Sequence, residues 1–369
     1  MTELFLLGFI FFLLLFRLIT VLVAWVNNSG STRLQLVSAS TSRKISILIP
    51  ARNEEKSLPK TLEALLQLPD PIHEILILDD FSTDATAAIV SVVSRHEPKV
   101  KLITGNPLPA GWLGKNWACH QLGQQATGDF FLFIDADVIL KPHSIDSAAE
   151  HFSKYRLALL SIFPDQIMIT AGEKAVVPVM HHILLSLLPL PLVRKSEFPS
   201  LSAANGQFML FDRETYQNHR FHELEKGSVA EDIRIVRRMK TLKLKVDCLL
   251  GNDLVLCRMY SNFSESLKGF SKNILQMLGA SQIGSLILLF LLHWGWIVFL
   301  LSPWWWLILI DISLVALNRY LVSNASNQNP FLNILLWPAQ SLVMTYLVFK
   351  GIYNRWTKQL EWKGRTVSS

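Results

Sequence analysis

Apolar and polar positions fall into distinct regimes along the chain. Residues 4 to 26 are almost continuously apolar, with eighteen Leu, Ile, Phe or Val residues. At roughly −0.3 to −0.6 kcal/mol each these contribute about 5 to 11 kcal/mol toward insertion, against roughly 3 kcal/mol for the single Arg17. The segment is too long for a secretory apolar region and begins acidic rather than basic, so residues 1–27 are expected to be an uncleaved membrane anchor. Residues 28–43 are polar with little to bury and read as a linker. From Lys44 the pattern changes: apolar runs of strand length, several of them ending in carboxylates, alternate with helical patterns. Ile45 to Ile49 and Glu74 to Leu78 read as strands, the first stopped by Pro50. Val100 to Ile103 and Phe130 to Ile134 follow. Such alternation predicts βαβ units and a mostly parallel sheet in an α/β domain spanning 44–260.

Beyond residue 137 the pattern is less regular. Residues 175–193 are apolar but broken by Pro178, Pro189 and Pro191, which predicts a segment lying in a membrane interface. Ala203 to Phe211 reads as a loop into a strand. Asp232 to Lys240 reads as a helix burying Ile233, Val236 and Met239, with Ser228 and Glu231 forming a capping box. Residues 261–281 are expected to be an interfacial helix region. Ile283 to Val322 and Phe331 to Phe349 are apolar blocks, so 282–350 is expected to hold two or three spans before a basic tail, 351–369.

Composition reinforces the membrane reading: half the residues are apolar and 17% charged. The net charge of +6 clusters near the apolar segments rather than in a stripe interleaved with aromatics, so no nucleic-acid partner is expected. The positive-inside tendency places the polar domain and the tail in the cytoplasm. Four spans would put the tail outside, and that conflict stays open. Cys119, Cys248 and Cys257 have neither metal nor redox spacing and read as plain buried thiols.

The candidate chemistry lies where strands end. Asp135 and Asp137, one residue apart after Phe130 to Ile134, would share one side of an extended chain and suit Mg²⁺ or Mn²⁺ held with substrate phosphates. They could equally form only a turn into Lys141-Pro142. Lys115, at the start of a helix after a Gly/Pro-rich loop, suits a phosphate held at a helix N-terminus, or is a solvated surface residue. Glu231 and Asp232 suit the helix dipole whatever their role, and a rigid carboxylate there also suits a general base.

The ordered set Pro50-Ala51-Arg52-Asn53-Glu54-Glu55, Leu78-Asp79-Asp80 to Thr86, Gly114-Lys115-Asn116-Trp117-Ala118, Asp135-Ala136-Asp137 and Glu231-Asp232 resembles the motif series of family 2 inverting glycosyltransferases with the GT-A fold. It looks most like the membrane-bound branch that glycosylates carotenoids, hopanoid-type lipids and ceramides, a placement supported by Gly111 to Lys115 and Trp362 to Arg365. The resemblance implies that Ala51, Arg52, Asn53, Glu54, Asp79, Asp80, Lys115 and Asp135 hold a UDP- or GDP-sugar. It implies Asp137, with Asp135, on a Mg²⁺ or Mn²⁺ ion and Asp232, beside Glu231, as the base for an acceptor hydroxyl. Gly206 and Gln207 are expected on the acceptor side. The Q-x-x-R-W motif of processive members is missing: the corresponding stretch is Lys268 to Ile274, where Lys272 is expected to supply positive charge near the diphosphate. Single-sugar transfer to a membrane lipid is therefore the leading expectation. A polyprenyl-phosphate sugar synthase, a relative of processive polysaccharide synthases and a catalytically silent nucleotide-binding membrane scaffold are the rivals.

Overall fold

The computed structural model describes residues 2–37, 41–69, 71–279, 281–357, 360–362 and 365–367. Lys363 and Gly364 of the tail motif, and residues 38–40 of the linker, lie outside them. The chain divides into two compact units: Gly30–Ile167 with Pro191–Met259 and Glu361–Ser369, and Met1–Ser29 with Met168–Leu190 and Tyr260–Leu360.

The first unit is built on a seven-stranded sheet. In chain order its strands are β1 (Ile45–Ala51), β2 (Ile72–Asp79), β3 (Val100–Thr104), β4 (Phe130–Ile134), β6 (Leu159–Phe163), β8 (Phe208–Asp212) and β9 (Val246–Leu250), arranged β3-β2-β1-β4-β8-β6-β9. Only β8 runs against the rest, antiparallel to β4 and β6. All five residues of β4 are buried, as expected for an interior strand covered on both faces. The strand β5 (Val138–Leu140), the two-residue β7 (Asp165–Gln166) and β10 (Val255–Cys257) form a second, small sheet in which β10 runs antiparallel to β5.

Three expectations are corrected here. Pro50 does not stop β1: the strand continues to Ala51, paired with β2 through Asp79, while its pairing with β4 has ended at Leu48. The proline therefore sits where β1 is flanked on one side only, a place a residue without an N–H tolerates. Residues 28–43 are not wholly an unburied linker, because Leu34 is fully buried and its N–H donates to the Leu250 carbonyl at 2.9 Å. Helix Glu231–Thr241 buries Ile235, Val236 and Met239, with Ile233 only partly covered.

The second unit is helical. Its long members are Thr2–Asn27, Phe263–Met277, Ile308–Ala325 and Trp337–Thr357, with the shorter Pro178–Leu187 among them. Helix Gln282–Leu289 runs directly into a π turn, Phe290–Trp294. Among the described residues two helices, Glu3–Asn27 and Trp305–Ala325, are long and apolar enough to cross a membrane. The pair Phe263–Met277 and Gln282–Trp294 passes the same test only if its 106° bend is counted within one span. The block expected from Phe331 to Phe349 is divided between Pro330–Leu335 and Trp337–Thr357. Arg17, the one charge in the first helix interior, is 4% exposed and pairs with Asp311 at 2.9 Å.

Candidate active site

Parallel strands that run the same way deliver their carboxyl ends to one edge of the sheet, the usual place for ligands in such folds. At that edge the ends of β1, β2 and β4 bring Ala51 to Glu54, Asp79-Asp80 and Asp135 to Asp137 around an open cleft of about 160 Å³. Its lining includes Ala51, Arg52, Glu54, Asp80, Lys115, Asp135 and Asp137.

The first two loops are clasped together. Asn53, at φ 54°, accepts the Thr83 N–H at 2.8 Å on its side-chain oxygen, and its own N–H donates to Ser82 Oγ at 2.9 Å. The Glu54 N–H donates to Thr86 Oγ1 at 2.8 Å. Arg52 reaches the backbone oxygens of Asp80 and Phe81 and stands 4.0 Å from the Asp80 carboxylate. The Asp80 N–H donates to the Ala51 carbonyl at 2.8 Å. Asn53 and Arg52 thus shape the cleft wall, whereas Ala51, Glu54 and Asp80 face the space it encloses. Asp79 accepts the Ser82 N–H at 3.3 Å and is not among the lining residues.

The Asp135-Ala136-Asp137 segment is not an extended chain. Strand β4 ends at Ile134, and the Val138 N–H donates to the Asp135 carbonyl at 3.2 Å, closing a turn before β5. The two carboxylates consequently have different surroundings. Asp135 is 29% exposed and binds Lys115 Nζ at 2.8 Å. Asp137 is half-buried, and its Oδ1 is buried without a hydrogen-bond partner. Its carboxyl is pushed up to about 7, by burial first and then by Asp135 and Glu54, while a hydrogen bond from Cys257 works the other way.

Lys115 lies in the first turn of helix Gly114–Gln125 and stands between Asp135 and Glu231 Oε1, the latter at 3.7 Å. Burial alone would lower its pKa, but those two charges hold it well above the usual lysine range. Asn116 fixes this arrangement: its Nδ2 donates to the carbonyls of Glu225, Lys226 and Ser228 at 2.9, 3.2 and 3.0 Å, tying the loop before Glu231 to the Lys115 helix. That anchoring displaces the expected capping box. The helix is entered through Ala230, no side chain caps it, and Ser228 Oγ is buried without a partner.

The antiparallel strand β8 explains how a distant segment joins the site. Its first residue, Phe208, pairs with Ile134, so Gly206 arrives beside Asp135 from the other direction. A side chain on Gly206 would stand 3.0 Å from Lys115 Nζ and 3.4 Å from Glu231 Oε1. Its N–H donates to Asp232 Oδ2 at 3.0 Å, and the Ile233 N–H donates to Oδ1 at 2.7 Å. Glu231 is pushed up to about 7, chiefly by burial against the opposing pull of Lys115; Asp232 is also raised, again by burial first.

Gln207 is 3% exposed and points inward. Its Nε2 donates to Cys257 Sγ at 2.9 Å, and its Oε1 accepts from Asn205 at 3.2 Å. Cys257 in turn donates to Asp137. It reaches that position because β10 pairs antiparallel with β5, setting Cys257 opposite Val138. Sequence reasoning missed this thiol, since nothing in its spacing marks it. Lys272 belongs to the helical unit, on Phe263–Met277.

Residues 46–220 match the family model described as Glycosyl transferase family 2. The chain carries a family 2 glycosyltransferase domain. Its relatives include a 4,4'-diaponeurosporenoate glycosyltransferase from Staphylococcus haemolyticus, 28% identical over 264 residues, covering 69% of this chain and 66% of the relative, just under two thirds of its length. The enzyme of the same name from Staphylococcus aureus strain MRSA252 is 25% identical over 276 residues, 70% of each chain. A mannosyltransferase from Pyrobaculum calidifontis, solved in complex with GDP-Man and Mn²⁺, superposes with a TM-score of 0.58 over 97% of this chain and 100% of that one, at 13% identity. The glycosyltransferase domain therefore has the GT-A fold, with a cleft at the carboxyl edge of its sheet.

Proposed function

We propose that this glycosyltransferase transfers one sugar, with inversion, from a UDP- or GDP-sugar to an apolar lipid acceptor at the cytoplasmic face of a membrane. The observation that carries the reading is the juxtaposition of a cleft lined by Lys115, Asp135 and Asp137 with a helix start whose Glu231 stands 3.7 Å from Lys115 and is followed by Asp232. The apolar helix Glu3–Asn27 and the two staphylococcal relatives support the membrane and the lipid.

The donor set fits a hard divalent ion. Asp137 Oδ1 is a buried oxygen without a partner, and carboxylates crowd it closely enough to raise its pKa. No group of three or more His, Cys, Asp or Glu among the described residues could enclose an ion, as suits Mg²⁺ or Mn²⁺ sites completed by substrate phosphates. Asp137, with Asp135, would hold it; bound there, such an ion stabilises the charge on a departing diphosphate.

The chain's own groups supply the rest. Ala51, Glu54 and Asp80 border the nucleoside end of the donor, with Arg52, Asn53 and Asp79 holding the loops that present them. The Lys115 ammonium neutralises phosphate oxygens. Asp232, oriented by the Gly206 and Ile233 N–H groups, takes the acceptor proton, and Glu231 keeps Lys115 in place. Gly206 leaves room where the acceptor meets the sugar.

The relatives' name specifies an acceptor that is itself a carboxylate, which favours a second reading: a lipid carboxylate, already ionised, attacks without base assistance. The Asp232→Asn protein separates the two. Membranes carrying it are supplied with nucleotide-sugar and with a carotenoid alcohol or a carotenoid acid, and products are read by mass spectrometry. Loss of at least a hundredfold in rate with the alcohol supports the hydroxyl reading; near-normal transfer to the acid alone supports the carboxylate. Binding of nucleotide without turnover on any acceptor, unchanged in Asp137→Ala, would mean a scaffold.

A further inference from the structure

The helical unit buries two guanidinium groups, Arg17 and Arg319, and two carboxylates, Asp311 and Glu173; Glu173 accepts the N–H groups of Ile169 and Thr170 at its own helix start. Arg17 meets Asp311 at 2.9 Å and donates to the Leu292 carbonyl at 2.9 Å. Arg319, 3% exposed, donates only to neutral oxygens, the Asn333 carbonyl at 3.2 Å and Gln340 Oε1, and no carboxylate pairs with it among the described residues. Of the two guanidinium groups, Arg319 is thus the one without a carboxylate beside it among the described residues. Around them stand two imidazoles, His293 and His182, with ring centroids 5.8 Å apart. The charges of both arginines act on both rings.

The unpaired atoms point to what is missing. Arg319 Nε and Arg17 Nη2 are buried donors without acceptors, and His293 Nε2 is buried without a partner. Ser341 Oγ gives its proton to the Trp337 carbonyl at 2.9 Å, so His293 Nδ1 donates to that oxygen at 3.0 Å. This leaves Nε2 as a proton acceptor on the neutral ring. Arg319 and His293 are linked to adjacent residues, Gln340 and Ser341, of one helix. His293 also lies in the π turn Phe290–Trp294, and such turns are concentrated at functional sites.

A buried guanidinium without a counter-ion is strongly unfavourable, and ionisable groups within membrane-type helices mark ligand or ion sites by default. We propose that this cluster binds an oxyanion, carboxylate or phosphate, carried on an apolar molecule. Arg319 Nε and Arg17 Nη2 donate to its oxygens, and His293 Nε2 accepts a hydrogen bond from any protonated oxygen it presents. The surrounding apolar helices favour a hydrocarbon-borne group over a free ion. The inference stands on the helical unit and does not depend on the reading of sugar transfer.

The full chain in detergent, probed by native mass spectrometry and thermal shift with palmitate, methyl palmitate and dioleoylphosphatidylglycerol, tests it. Palmitate is expected to bind at least tenfold more tightly than its ester, and Arg319→Gln, which can keep a neutral hydrogen bond, is expected to lose at least tenfold. Competition by phosphatidylglycerol would identify a lipid headgroup as the source, and its failure to compete a carboxyl group; either supports the site. Equal binding of acid and ester, or wild-type affinity in Arg319→Gln, overturns it. If Arg319→Gln does not fold, His293→Gln and the acid-ester comparison on the wild-type chain decide in the same terms.

Discussion

Replacing Cys257 by Ala removes a buried thiol that touches no substrate, yet it should change how the protein binds a divalent ion. The thiol donates to the Asp137 carboxylate, and burial with the charges of Asp135 and Glu54 has already pushed that carboxyl up to about 7. A hydrogen bond to a charged group contributes roughly 1.5 to 3 kcal/mol, less for a weak S–H donor. About 1 kcal/mol, close to one pKa unit at 1.36 kcal/mol per unit, is the expected loss. Asp137 would then titrate about one unit higher. At pH 7 its ionised fraction would fall from about a half to about a tenth, lowering Mn²⁺ affinity about fivefold. The sign follows from competition: proton and metal claim the same carboxylate, so affinity falls as pH drops below the pKa, and the variant's fall begins about one unit earlier. Free Mn²⁺ counted by electron paramagnetic resonance from pH 5.5 to 9 measures this. Variant and wild type should converge at pH 9, and Cys257→Ser, which retains an O–H donor, should bind at least as well as wild type. A deficit of equal size at every pH would refute the hydrogen-bond argument and leave only lost packing.

Two further outcomes follow from the same geometry. Asp137 and Glu231 carry pKa values of about 7 in the folded chain against ordinary values of 3.8 and 4.5. Between these limits the folded chain holds protons the unfolded chain has released, so their contribution to stability falls as pH rises from about 4 to about 7. Calorimetry without divalent ions should show the stability of wild type relative to Asp137→Asn declining through that window, with Mn²⁺ reversing the decline at pH 7; a difference flat with pH would contradict it. Asn116→Ala removes the side-chain donor from three carbonyls, of which those of Glu225 and Lys226 keep the N–H groups of Ser228 and Leu113 and that of Ser228 loses its partner; it should cost about 1 to 3 kcal/mol, while lowering kcat more than it raises the donor KM, because the loop before Glu231 and Asp232 is released. Steady-state kinetics with wild-type kcat would show that the anchor does not position those residues.

What the sequence reveals of this site follows the physics of parallel strands. Asp80 and Asp135 each stand next to an apolar strand whose carboxyl end must lie at the ligand edge, so the alternation of strands and helices was enough to place them there. Gly206 and Cys257 arrive by antiparallel pairings, Ile134 with Phe208 and Val138 with Cys257. Those pairings join residues 74 and 119 positions apart, beyond the reach of any local pattern. The Ser228 and Glu231 spacing fits a capping box, but three carbonyls held by Asn116 win that stretch of backbone for another conformation. Leu34, Leu36 and Val37 are the large apolar residues of an otherwise polar stretch, too brief a signal to reveal that Leu34 docks beside Leu250.

The charge balance of the cleft constrains how it can accept a donor. Four carboxylates line it, Glu54, Asp80, Asp135 and Asp137, against two cations, Arg52 and Lys115. Arg52 is already committed to the Asp80 backbone and Lys115 to Asp135 at 2.8 Å. A nucleoside diphosphate therefore meets a field of its own sign and must take Lys115 from Asp135 to gain a contact. Each like charge left within 4 Å opposes entry by several kcal/mol at an effective dielectric of about 20. The raised pKa of Asp137 is the same conflict expressed in protons, since the cleft holds a proton where it lacks a cation. The buried Oδ1 of Asp137, with no partner of its own, is where a divalent ion would resolve both conflicts together.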